Sequence, residues 1–150
     1  QEQVCKDACV EFFVEPRPGK GYFNIEMNCG GVTLIYFVED HRIVNRAFAK
    51  VTEVGTRLFD QMRIGHSMPV TVPAEIKTPV TWEVAYFVPF TLFEHYLGRL
   101  GDVAGQTWLA NFYKCASLTS HPHWASWAPI EGDLNFHKPE YFAPIHFARE

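Results

Sequence analysis

The feature that most constrains this chain is a strict two-residue alternation from Tyr22 to Cys29. Phe23, Ile25 and Met27 alternate there with Asn24, Glu26 and Asn28. Successive side chains of a strand point to opposite sides, so this period predicts a strand with one apolar and one polar face. A helix would instead repeat its apolar positions every three to four residues. The neighbouring segments agree. Ala8 to Glu15 (ACVEFFVE) is β-branched and aromatic and stops at Pro16. Arg17 to Gly21 has turn chemistry, because proline fixes φ and glycine permits positive φ. Gly30-Gly31 marks a second turn, and Val32 to Val38 (VTLIYFV) reads as a third strand. Three strands joined by short connections predict an antiparallel meander.

Beyond it the pattern changes. Asp40 to Pro79 lacks clean periodicity and carries Pro69, Pro73 and Pro79, so it reads as a long decorated connection. A short helix is expected within Glu53 to Ile64. Val80 to Val88 is a strand, Pro89 introduces a helix, and Gly98 closes it. Thr107 to Cys115 and Tyr141 to Ala148 are the last two strands expected. The sum is an all-β fold, an antiparallel β-sandwich or jelly roll with one or two short helices. Its 150 residues suit a single domain spanning 1–150.

Charge narrows the partners. The formal net charge is −4 and no basic run occurs, which argues against nucleic acid, whose phosphates demand a positive surface. No apolar stretch approaches the roughly 20 residues needed to span a bilayer. Opening on Gln1 instead of Met implies a processed, trimmed or partial chain. Cys5, Cys9, Cys29 and Cys115 show no CxxC spacing, so a zinc ribbon is not expected. Two readings stand: a Cys9–Cys29 bridge between neighbouring strands, or buried free thiols behaving as small hydrophobes.

Several stretches, in this order, resemble the family 9 carbohydrate-binding modules and their bacterial relatives. KDACVEFFVEP is similar to that family's D-x-x-V-E strand, and GYFNIEMNCGG to the strand and turn after it. WEVAYFVPFTLF resembles its late strand running through proline into a short helix, while ANFYKC, HPHWASWAPI and FHKPEYFAPIHF resemble its end. The resemblance implies a sandwich that holds sugars, often at chain ends, by tryptophan stacking. It implies calcium as a structural ion in some members and an extracellular or periplasmic setting. The wider fold group includes haem- or sugar-binding domains of the DOMON type. Two departures stand out. Cys5 occupies the position where a stacking tryptophan often precedes the motif aspartate. Only six residues precede Asp7, so the usual N-terminal strands are not evident. A missing strand would leave an open sheet edge and an expected homodimer through it.

Candidate site residues follow. Trp124 and Trp127 lie in a Pro- and His-rich segment, and an exposed indole offers a flat apolar face to sugar C–H groups. Glu11 matches the family's motif glutamate. Glu26, Asn28 and Asn111 supply carboxylate and amide groups suited to sugar hydroxyls, if the polar strand face is open. His121, His123 and His137 form the candidate metal set for zinc or copper, because H-x-H on a strand aims both rings one way. Together these give a non-catalytic glycan binder as the leading reading. The alternatives are a metal-dependent carbohydrate-active enzyme and a haem binder using Met27, Met62 or Met68. Asp7, Asp40, Asp102 and Asp133 are the oxygen donors open to calcium. Glu11, Glu26 and Glu83 have no spacing that marks a hydrolytic pair, and no G-x-S-x-G is present.

Overall fold

The computed structural model describes residues 4–149. Its strands are β1 (Cys9–Glu15), β2 (Tyr22–Asn28), β3 (Thr33–Val44), β4 (Ala47–Glu53), β5 (Arg63–His66), β6 (Val84–Phe87), β7 (Thr107–Ala116), β8 (His123–Ser126) and β9 (Ala143–His146). Two short helices, α1 (Thr56–Phe59) and α2 (Phe90–Leu97), complete the framework. A seven-stranded antiparallel sheet runs β4-β3-β2-β1-β7-β8, with β9 also paired to β7. β8 takes the Tyr113–Ala116 end of β7 and β9 takes the Thr107–Ala110 end. The β5–β6 hairpin forms a second, smaller sheet. The architecture is an all-β antiparallel sandwich with two short helices.

One face of the large sheet is an apolar core. Val14, Phe23, Ile25, Ile35, Phe37, Trp108 and Ala110 meet Leu92 and Phe93 of α2, with Val54, Met62, Leu100 and Val103 filling the margins. The Phe23 ring centroid lies 4.7 Å from that of Phe37 and 4.8 Å from that of Phe93. Tyr86 of the small sheet packs against the same cluster. α2 follows an extended Pro89 and stops at Gly98, whose φ of 72° suits glycine and whose N–H is taken by the Glu94 carbonyl. Gly21 is equally constrained: φ is +92°, and a Cβ there would collide with the Val38 backbone.

The opposite face is also covered. The 3-10 turn Val4–Lys6 lies over Cys9, Leu34 and Cys115, joined by Phe136. Phe142, Ile130 and Phe136 close over Phe13, Tyr22, Val38 and Tyr113.

The structure revises two expectations and decides between the two cysteine readings. The first part of the Asp40–Pro79 connection is ordered strand: β3 runs on to Val44 and turns back into β4, while the proline-bearing stretch after β5 stays irregular. The two turn residues, Asn45 (φ 54°) and Arg46 (φ 69°), have the positive φ pair of a type I′ hairpin without a glycine to announce it. The short helix expected within Glu53–Ile64 is α1. No open edge borders β1, because β7 pairs along its whole length on one side and β2 on the other. The homodimer expected from that edge therefore loses its basis. Finally, all four cysteines are free thiols, and Cys9 stands opposite Cys115, with Asn28 and not Cys29 as its β2 neighbour.

Candidate functional site

β8 pairs with the end of β7, and its two-residue period sends Trp124 and Trp127 to opposite sides of the sheet. Trp124 stands opposite Cys115, on the face that also carries Glu11. Trp124 is 44% exposed and lines a pocket of about 200 Å³ with Ser126, Ile130, Asp133, Leu134 and Phe136. Trp127 is 54% exposed and donates its backbone N–H to the Phe112 carbonyl. Its ring stands edge-on to Phe112 at 5.6 Å, and Phe112 stacks on Phe12 at 4.8 Å. The two indoles cannot grip one sugar ring between them. Ser126 and Asp133 were not singled out as sugar contacts from sequence. Their signal was there in part, since HWAS places Trp124 and Ser126 on one face by alternation.

The polar strand face is not a solvated surface. Glu11 and Glu26 are opposite each other on β1 and β2, and only 5% and 7% exposed. The cover supplied by the Val4–Lys6 turn and by Phe136 keeps a sugar from reaching them directly. Burial, then the charge of Glu26, pushes the Glu11 carboxyl up to about 10. Burial also raises Glu26, opposed by the Asn24 amide that donates to it at 3.0 Å. Asn111 is fully buried and spent on backbone: its amide donates to the Ala128 carbonyl and its oxygen accepts the N–H groups of Ala128 and Phe112. Asn28 accepts the N–H groups of Gly30 and Val32, which fixes the turn after β2. Of the four polar strand candidates, then, two are enclosed carboxyls and two are backbone-binding amides.

The three histidines do not come together. His137 sits among Phe13, Phe48 and Tyr22, with its Nδ1 2.8 Å from the Tyr22 hydroxyl. Burial, then the charge of His41, lowers its pKa to about 4, which keeps the ring neutral. His123 contacts Lys114 on the other side of the sheet, and His121 is 2.9 Å from the Ser120 hydroxyl. Both line a separate pocket of about 590 Å³ that also includes Trp82 and Glu75. Haem ligation by Met27 and His137 is likewise blocked: Met27 is buried on the α2 side of β2, and His137 packs on the opposite side. The aspartates offered for calcium make separate local contacts. Asp7 caps Ala8, Asp40 pairs with Arg42, and Asp102 accepts from Ala104. Asp133 lies in the Trp124 pocket. Among the described residues, the one group with three metal-ligating atoms within 4.8 Å of one another is Cys9, Glu11 and Cys115, all buried. The bond to Cys9 lowers the Cys115 thiol below its ordinary value, against the burial that raises it.

The fold is a β-sandwich with an aromatic-walled pocket at its surface. The chain belongs to carbohydrate-binding family 9, whose model matches residues 1–147. It is also similar to the 2.70 Å crystal structure of a protein from Bacteroides uniformis ATCC 8492 that is proposed to bind carbohydrate. The TM-score is 0.80 at 31% identity, covering 97% of this chain and 63% of that one. A search of curated proteins gave no match. No helix among the described residues is long and apolar enough to cross a membrane.

Proposed function

We propose that this domain is a non-catalytic glycan holder that stacks one sugar ring on Trp124, outside the cytoplasm in an extracellular or periplasmic setting. The observation that carries the reading is the half-exposed Trp124 indole on the wall of a pocket about 200 Å³ in volume. That volume suits a single pyranose, in keeping with capture of a chain end. Ser126 and Asp133 in the same wall can exchange hydrogen bonds with sugar hydroxyls. The backbone beneath is rigid, because β8 is paired along its length to β7 and Asn111 fastens the chain just after it at Ala128. Affinity is modest, since desolvating hydroxyls offsets much of the stacking gain.

A glycan array followed by calorimetry on the best hit tests this. Trp124→Ala is expected to weaken binding by about tenfold or more, the equivalent of about 1.4 kcal/mol. Trp127→Ala is expected to change it little. Unchanged affinity in Trp124→Ala, with loss in Trp82→Ala, would move the glycan to the larger pocket and refute this placement.

A further inference from the structure

Beneath the Val4–Lys6 turn, on the same face as Trp124 but shut off from solvent, the sheet carries two thiols and two carboxyls. Register brings them together. Cys9 and Cys115 are directly opposite on β1 and β7, and Glu11 and Glu26 are directly opposite on β1 and β2. Cys9 and Glu11 are two apart on one strand, so all four side chains share one face. Cys115 Sγ donates to Glu11 Oε1 at 3.0 Å, and one ligand atom from each of Cys9, Glu11 and Cys115 lies within 4.8 Å of the other two.

We propose that Cys9, Glu11 and Cys115 form a buried site for a thiophilic divalent metal ion of the zinc class. Tetrahedral zinc with bonds of about 2.3 Å to sulfur and about 2.1 Å to oxygen sets its ligands about 3.6–3.8 Å apart. The three ligand atoms already lie within 4.8 Å of one another, close to that spacing. Charge supplies the second argument. The two salt bridges among the described residues, Arg42–Asp40 and Lys50–Glu39, both lie elsewhere, so Glu11 and Glu26 have no cationic ion-pair partner. A buried carboxyl without such a partner keeps its proton, and a bound cation can displace that proton. The third argument is an orphan. Asn24 is 1% exposed and gives its amide N–H to Glu26, yet its carbonyl oxygen has no partner. A polar enclave with an unmet acceptor beside two enclosed acids is arranged for a guest. Binding releases one proton each from Cys9, Cys115 and Glu11, leaving a complex of net charge −1. A water fills the fourth position.

The test uses the full chain, purified under reducing conditions and titrated with cobalt(II), then zinc(II). One cobalt per chain is expected, with thiolate-to-metal charge-transfer absorption that zinc abolishes. Cys9→Ser and Cys115→Ser are expected to weaken binding by more than about 100-fold, since loss of a mere outer partner costs about 10–100-fold. Cys29→Ser, which removes a thiol outside the trio, is expected to bind as the parent does. If the serine variants do not fold, zinc protection of Cys9 and Cys115 from alkylation, read by mass spectrometry on the unmodified sequence, decides the matter. Absent thiolate–cobalt absorption, absent protection, or a Cys9–Cys115 disulfide in the protein as isolated would each overturn the proposal.

Discussion

The two faces of the large sheet obey one alternation and put it to opposite uses. On the α2 side, Phe23, Ile25 and Phe37 meet aromatic and aliphatic partners, and dispersion and desolvation alone hold them. On the other side, Tyr22, Asn24 and Glu26 are equally enclosed, yet each must find hydrogen-bond partners or keep its proton. The apolar face tolerates change in proportion to volume. The polar face is sensitive to the identity of single atoms. A period of two therefore says which residues share a side, and says nothing about whether that side meets water.

Four outcomes would break or sharpen this contrast. The largest belongs to the apolar face: Phe23→Ala is expected to cost about 3–5 kcal/mol, read from the urea midpoint at unchanged slope. A loss below about 1 kcal/mol would mean that α2 is not seated on the sheet as described.

Next is the pH response of the polar face. The half-buried His137, packed among Phe13, Phe48 and Tyr22, has a pKa of about 4, below the ordinary value of 6.5. The unfolded chain thus binds more protons between those values, and stability falls as pH drops from 6.5 towards 4. The full contribution is present above 6.5 and is at most about 3 kcal/mol. His137→Phe should flatten this part of a urea series taken at several pH values. An equally steep series in that variant would assign the effect to other groups.

Third, Asn111→Ala should cost about 1–3 kcal/mol, because the Ala128 N–H and carbonyl lose their buried partner. Faster amide exchange at Ala128 is the accompanying signature.

The smallest effect is at the rim. Trp124→Ala should alter stability by less than about 1 kcal/mol while weakening glycan binding. A larger loss of stability would make the indole part of the interior.

Much of this was legible in the sequence. β1, β2 and α2 carry their own signals: alternation, Pro16 and Pro89 as stops or starts, and Gly98 as an end. The β3–β4 hairpin was hidden because its turn uses Asn45 and Arg46, which carry no glycine signature. The candidate site was only partly readable. Trp124 and Trp127 are both exposed, as the Pro- and His-rich segment allows, but alternation alone does not reveal that Glu11, Glu26 and Asn111 are enclosed. Their burial depends on Val4 and on the 128–142 segment, which lie far away in the chain, and no local pattern reports it. The meeting of Cys9 with Cys115 is hidden for the same reason.

The β1–β7 pairing has a consequence in time. Cys115 and Glu11 touch across 104 residues of chain. Closing so long a loop costs entropy before any contact offsets it, and such topologies fold slowly. Until β7 arrives, a nascent chain holds the β1–β3 meander with one whole edge of β1 unpaired. β7 then satisfies β1 and gives β8 and β9 their template in one event. The proposed glycan pocket, built on β8, would be among the last parts of the molecule to exist.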